Sequence, residues 1–234
     1  MPLFTPQAVL FDLDGTLVDS APDLTTGVNR MLADLDRSPI SEEAVREWIG
    51  NGARRLVARA LTGQRDVAEE PAEMAEAMES FFRHYMDCLV DRSRVYPGVT
   101  EGLERLQALS LPLGVVTNKP TAFTGPLLAG LGLERFFSVL VSGDTLSVKK
   151  PDPAPLVHGA EQLGVAIERS FYVGDSAADR DAAKAAGALL IRVPYGYPGD
   201  VTVFADHPAE LTLDIAALAE RIESLQARSA AKAG

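Results

Sequence analysis

Ala8-Val9-Leu10-Phe11-Asp12-Leu13-Asp14-Gly15-Thr16-Leu17-Val18-Asp19-Ser20 decides how the rest of the chain is read. Ala8–Phe11 is an unbroken apolar run. It gives way to two carboxylates two positions apart and then to a glycine. A run of this kind reads as a strand buried on both faces. Four more follow, at Leu113–Val116, Val139–Val141, Phe171–Val173 and Leu189–Val193. From the second run onward, helical patterns separate them. Val99, Leu103, Leu106 and Leu109 share one helical face, and Pro155–Leu163 and Asp179–Ala186 also read as helices. Strand and helix in alternation specify a parallel sheet covered on both sides. A last helix, from about Asp214 to Ser229, carries Ile215, Leu218, Ile222 and Leu225, and its Ala/Lys/Gly tail is expected to fray.

One segment breaks the alternation. Between the first two apolar runs, residues from about Asp19 to Arg94 show helical patterns and no strand. Ser41 followed by Glu42 and Glu43 is a helix start. Met74, Met78, Phe81, Phe82, Tyr85 and Leu89 form one helical stripe, read as a core face rather than a ligand site. The fold class is therefore α/β, a Rossmann-like parallel sheet core with an inserted all-helical cap domain. The core is expected at residues 1–18 and 95–234, and the cap at 19–94.

Composition narrows the setting. The 234 residues carry a net charge of -11, which argues against a nucleic-acid partner. No stretch approaches the roughly 20 apolar residues that span a bilayer. With a single cysteine, Cys88, and no signal peptide, a reducing cytoplasm is expected and no membrane partner. Monomer and homodimer are both left open.

Ligands of open parallel sheets bind beyond the carboxyl ends of the strands. After each run come Asp12-Leu13-Asp14-Gly15-Thr16, Thr117-Asn118-Lys119, Ser142-Gly143-Asp144 and Gly174-Asp175-Ser176, with Lys149-Lys150-Pro151 close behind the third. So many carboxylates at one edge repel one another unless a cation intervenes. A hard divalent ion with oxygen ligands resolves this, and Mg²⁺ suits a site that also holds phosphate. The spacing of Asp12 and Asp14 puts both on one side of an extended chain. One carboxylate can attack phosphorus while another protonates the leaving oxygen and later activates water. Thr117 and Asn118 can donate hydrogen bonds to phosphoryl oxygens, and Lys150 supplies positive charge.

These residues carry a resemblance. Asp12–Ser20 is similar to the first motif of the haloacid dehalogenase-like hydrolases. Thr117-Asn118-Lys119, Lys150-Pro151-Asp152-Pro153 and Gly174-Asp175-Ser176-Ala177-Ala178-Asp179 resemble the second, third and fourth, in that family's order. The resemblance implies a phosphatase with Asp12 as nucleophile and Asp14 as general acid and base. It also implies a metal held by the Asp12 carboxylate, the Asp14 backbone carbonyl and Asp175, and a mobile cap between the first two motifs. Trp48–Ala53, Val57–Leu61, Lys149–Leu156 and Tyr195-Gly196-Tyr197 resemble the branch that hydrolyses 2-phosphoglycolate to glycolate and phosphate. The implied partner is thus a small phosphorylated metabolite. Arg180, Ala177 and Ala178 depart from the usual pattern but leave the acidic positions intact.

Other readings stand beside these. Asp179 either caps the helix it opens or sits behind the metal ligands. Asp19 and Ser20 either start a helix or contact substrate. Gly50-Asn51-Gly52 is either a turn between helices or, with Arg54 and Arg55 following, a loop closing over the site, where Arg54 would grip a substrate carboxylate. His84, His158 and His207 are read as structural. A phosphatase for another small ester or pyrophosphate, a sugar phosphomutase, a dehalogenase and a phosphoaspartate signalling module are the competing functions.

Overall fold

The computed structural model describes residues 4–197 and 211–233, so His207 lies outside the described residues. The first strand, β1 (Ala8–Phe11), leads through β2 (Val18–Asp19) into helices α1 (Ala21–Asp34), α2 (Glu42–Trp48), α3 (Ala53–Thr62) and α4 (Met74–Asp87). The chain returns through β3 (Arg94–Val95) to α5 (Val99–Ala108), β4 (Leu113–Val116), α6 (Thr121–Gly130), β5 (Val139–Val141), α7 (Ala154–Gln162), β6 (Ser170–Gly174), α8 (Ala177–Ala186) and β7 (Leu189–Arg192). It closes with β8 (Leu211–Thr212) and α9 (Ile215–Ala233). No helix of the described residues is long and apolar enough to cross a membrane.

Six strands pair in the order β5-β4-β1-β6-β7-β8, and every pairing is parallel. β1 sits centrally, with Leu10 beside Gly114 on one flank and Tyr172 on the other. Its residues point alternately to two cores. Val9 and Phe11 join Val115, Phe171 and Ile191 under α5 and α9, and Leu10 joins Val116, Tyr172 and Leu190 under α7 and α8. This double burial is why the strands read as continuous apolar runs. From β1 the chain moves to β4 and β5 on one side and then crosses to β6 on the other. The crevice of an open sheet opens where that direction reverses, at the carboxyl ends of β4, β1 and β6.

The helical segment enters and leaves through an antiparallel ribbon in which Val18 pairs with Val95 and Asp19 with Arg94. Two-residue strands are too short to show alternation, and the sequence pattern misses both. Asp23 on α1 is fully buried and accepts hydrogen bonds from the Arg92 and Ser93 N–H groups and the Ser93 hydroxyl. It ties the start of the first helix to the returning strand. Gly27 lets α4 lie close on α1, because a Cβ there would stand 2.9 Å from the Tyr85 Cβ. At the other end, α9 runs to Ala233, beyond the end at Ser229 expected from the sequence.

Candidate active site

Asp12 stands at the end of β1 and is 4% exposed. Lys150 Nζ lies 2.8 Å from Asp12 Oδ1 and 2.7 Å from Asp179 Oδ1, so a single buried ammonium bridges two carboxylates. The Asp12 contact is an ion pair without hydrogen-bond alignment, and Asp12 Oδ1 has no directed partner among the described residues. Tyr172, which sequence reasoning placed only in a strand, holds the lysine. Its hydroxyl accepts from Lys150 Nζ at 2.7 Å and lies 2.9 Å from Asp179 Oδ1 and 3.1 Å from the Val116 carbonyl.

Asp175 follows β6. It accepts from the Thr16 hydroxyl at 3.1 Å and the Tyr197 N–H at 2.5 Å. Gly15 turns the chain between Asp14 and Thr16 with φ +87, and a Cβ there would strike the Asp175 carboxylate. Asp179 is occupied on both oxygens. Oδ2 accepts from the Asp175 and Ser176 N–H groups and the Ser176 hydroxyl, completing a capping box on α8, while Oδ1 faces Lys150. It therefore caps its helix and anchors the lysine at once. Asp144, at the end of β5, stays apart from this cluster and binds the Thr121 N–H and hydroxyl at the start of α6.

Carboxylate oxygens of Asp12, Asp175 and Asp179 lie within 4.8 Å of one another, all buried. Three carboxylates face one ammonium, and the imbalance shows in their acidities. Burial pushes Asp12 up to about 6 against the opposing pull of Lys150, and the Asp179 and Asp14 charges push it further. Burial, with the charges of Asp179 and Asp12, lifts Asp175 well above the carboxylate range. Burial would lift Asp179 too, but Lys150 holds it below its ordinary value. Burial pulls Lys150 down, yet Asp12 and Asp179 outweigh it and keep the ammonium charged. Surplus buried negative charge, oxygen donors and an undirected Asp12 oxygen together fit a hard divalent cation.

Asp14 lies across the crevice from this cluster. Ser20 Oγ donates to Asp14 Oδ1 at 2.6 Å, and Lys119 Nζ lies 3.0 and 3.2 Å from its two oxygens. Ser20 is the N-cap residue of α1, in keeping with the helix-start reading, but its side chain turns to Asp14 instead of capping the helix. Lys119 Nζ also donates to the Tyr85 hydroxyl at 2.7 Å. The α4 stripe is a core face, as expected, but Phe81 and Tyr85 double as walls of a cavity of about 40 Å³ over Asp12 and Asp14. Thr117, 4% exposed, lines the same cavity. The Asn118 side chain is fully engaged as an organiser: its amide donates to the Gly50 and Lys150 carbonyls and accepts from the Lys150 N–H.

The Gly50 carbonyl brings the loop between α2 and α3 onto the core, with Gly52 lining the cavity and Asn51 exposed. Arg54 is not brought to the site. It pairs with Glu70 at 2.5 Å, its side chain 59% exposed, and Arg55 donates to the Val67 carbonyl. Tyr197 spans core and insert. Its N–H binds Asp175, while its hydroxyl donates to Asp19 at 2.5 Å and accepts from the Ala21 N–H at 3.0 Å.

The family description "haloacid dehalogenase-like hydrolase" matches residues 9–193, a span that contains Asp12, Asp14, Thr117, Lys119, Lys150, Asp175 and Asp179. The chain belongs to the haloacid dehalogenase-like hydrolases. Curated relatives agree. A phosphoglycolate phosphatase of Colwellia psychrerythraea is 45% identical over 199 residues, 84% of this chain and 88% of its own. One of Thiobacillus denitrificans is 46% identical over 191 residues, 82% and 84% of the two chains. Among solved structures, that of a predicted phosphoglycolate phosphatase from Haemophilus somnus 129pt matches with a TM-score of 0.84 at 35% identity, covering 93% of this chain and 98% of that one. The chain is thus a haloacid dehalogenase-like phosphatase, a hydrolase of phosphoric monoesters, of a family that generally uses a divalent metal.

Proposed function

We propose that the protein hydrolyses 2-phosphoglycolate to glycolate and phosphate through a phosphoaspartate on Asp12. The observation that carries this is the small, largely apolar cavity over Asp12 and Asp14. At about 40 Å³ it has room for roughly three waters, at ~10–15 Å³ for each, and walls from Ile49, Leu56, Phe81 and Phe123. A two-carbon ester needs less opening of that space than a sugar phosphate does, and the matched relatives are named phosphoglycolate phosphatases.

In the first step an Asp12 carboxylate oxygen bonds to phosphorus and the bond from phosphorus to the glycolate oxygen breaks, with Asp14 delivering a proton to that oxygen. In the second, Asp14 takes a proton from water as its oxygen attacks the phosphorus of the aspartyl phosphate. The Asp12–phosphorus bond breaks and phosphate leaves. Thr117 and Lys150 hold the transferring oxygens, with the Asn118 side chain fixing the Lys150 backbone. Mg²⁺, held by the Asp12 carboxylate, the Asp14 carbonyl and Asp175, would supply the charge that offsets the phosphoryl oxygens, with Asp179 behind the ligands. Residues 19–94 serve as the cap that excludes water.

Asp12→Asn should lower turnover by roughly 10⁴–10⁶-fold while the melting temperature stays near that of the parent. Retained turnover rules out Asp12 as nucleophile. A panel of phosphate esters, assayed for phosphate release with and without Mg²⁺, tests the substrate. A sugar phosphate or nucleotide clearly better than 2-phosphoglycolate refutes that assignment alone.

A further inference from the structure

Lys119 is the only cation among the described residues that line the cavity, and its side chain is 2% exposed. Lys150 is committed on the phosphoryl side, between Asp12 and Asp179. The two arginines at the start of α3, beside the cavity-lining loop, are turned away, Arg54 to Glu70 and Arg55 to a carbonyl. Recognition of a second anionic group on the substrate thus falls to Lys119.

Position points the same way. Asp14 is the proposed donor to the leaving oxygen, and Lys119 Nζ lies 3.0 Å from it. A group one carbon beyond that oxygen therefore comes up against whatever borders Asp14 on the cavity side. That border is Lys119 together with Tyr85, whose hydroxyl is 2.7 Å from Nζ. Burial pushes the pKa of the Tyr85 hydroxyl well above its ordinary value, so its proton is retained. Among the described residues that hydroxyl makes one hydrogen bond, the one it accepts from Lys119, and its own hydrogen has no acceptor. A carboxylate would accept from both groups in a pocket whose apolar walls strengthen the interaction.

We infer that Lys119, from the turn after β4, and Tyr85, from α4, form a two-part subsite that binds the carboxylate of the substrate's leaving group. The subsite sets specificity for a phosphorylated short-chain hydroxy acid over a neutral alcohol phosphate. It rests on the proposed reading of the site as one for a two-carbon ester. Since one partner belongs to the core and the other to the insert, the subsite is complete only when the two lie together.

The test compares 2-phosphoglycolate with ethyl phosphate, which has the same two carbons and no carboxylate. The parent enzyme, Lys119→Met and Tyr85→Phe are assayed on both with Mg²⁺ present. The parent should favour 2-phosphoglycolate in kcat/KM. Lys119→Met should lower that preference by roughly 10–100-fold and Tyr85→Phe by a smaller factor, chiefly through KM for the acid. Lys119 also touches Asp14, so both substrates can lose kcat in Lys119→Met. It is the ratio that reports on the carboxylate. Tyr85→Phe deletes one oxygen and keeps the ring, which leaves the inference open to refutation even where Lys119→Met does not fold. A parallel loss on both substrates, with the preference intact, assigns Lys119 to positioning Asp14 and overturns the subsite. No preference in the parent enzyme instead rejects the two-carbon acid reading, and the subsite with it.

Discussion

Lys150 shows what a single side chain contributes when, among the described residues, it is the only cation bridging Asp12 and Asp179. Its worth depends on being aimed, and Tyr172 does the aiming through a hydroxyl that touches Lys150, Asp179 and the Val116 carbonyl. Tyr172→Phe should cost about 1–3 kcal/mol of stability, because buried polar partners lose a hydrogen bond while the packing survives. It should also lower kcat more than it raises KM, since the lysine is misaligned for the transferring group rather than removed. Urea unfolding and steady-state kinetics on the purified variant read both effects. A variant indistinguishable from the parent in each would show that the lysine is held by its carboxylates alone. Tyr172 could not have been found from its own sequence position, where an aromatic in an apolar run is ordinary for a strand.

The helices α1 and α4 carry the next level of control. Gly27 allows Tyr85 to sit where its hydroxyl meets Lys119, so the close approach of two helices becomes a property of the site. Gly27→Ala should destabilise the protein by about 1–3 kcal/mol through overpacking. By displacing Tyr85 it should also raise KM for the favoured ester. A loss of stability with KM unchanged would separate packing from recognition. At this scale much was legible in advance. The inner strands show as apolar runs because both faces of each are covered, whereas the edge strand β5 is apolar although Leu140 is exposed. The ribbon of β2 and β3 left no pattern because two residues have no period. The placement of Arg54 was hidden for a different reason. Its helix exposes two arginines, Arg54 and Arg55, and only the fold decides that Glu70, 16 residues away, takes this one. Lys119 stood within a recognised motif, but its partners Asp14 and Tyr85 lie 105 and 34 residues distant, beyond what local spacing reports.

For the molecule as a whole, the buried carboxylates make stability a function of both pH and cation. Asp12 titrates near 6 in the folded metal-free chain against 3.8 as its ordinary value. Its protonated form therefore adds stability that is full below the ordinary value and is lost as pH rises through about 6. Asp175 acts in the same sense. Asp179, with its acidity shifted the other way, contributes stability above its ordinary value that is lost as pH falls. A divalent cation binds the ionised forms and relieves the first two. Mg²⁺ at about 100 times its dissociation constant should thus raise the melting temperature by roughly 5–10 °C at pH 8, and by clearly less at pH 5. Equal shifts at both values, in scans with and without chelator, would contradict the cation site. Tyr197 gives this a mechanical side. One residue binds the carboxylate proposed to hold the ion and, through its ring hydroxyl, Asp19 and Ala21, where the chain enters the helical segment. Linkage between two such grips is reciprocal. If that entry is the hinge of the proposed cap, a tighter ion steadies it and its swing loosens the ion. The local supply of magnesium would then govern how often the enzyme admits its next molecule, as well as how fast it consumes the one inside.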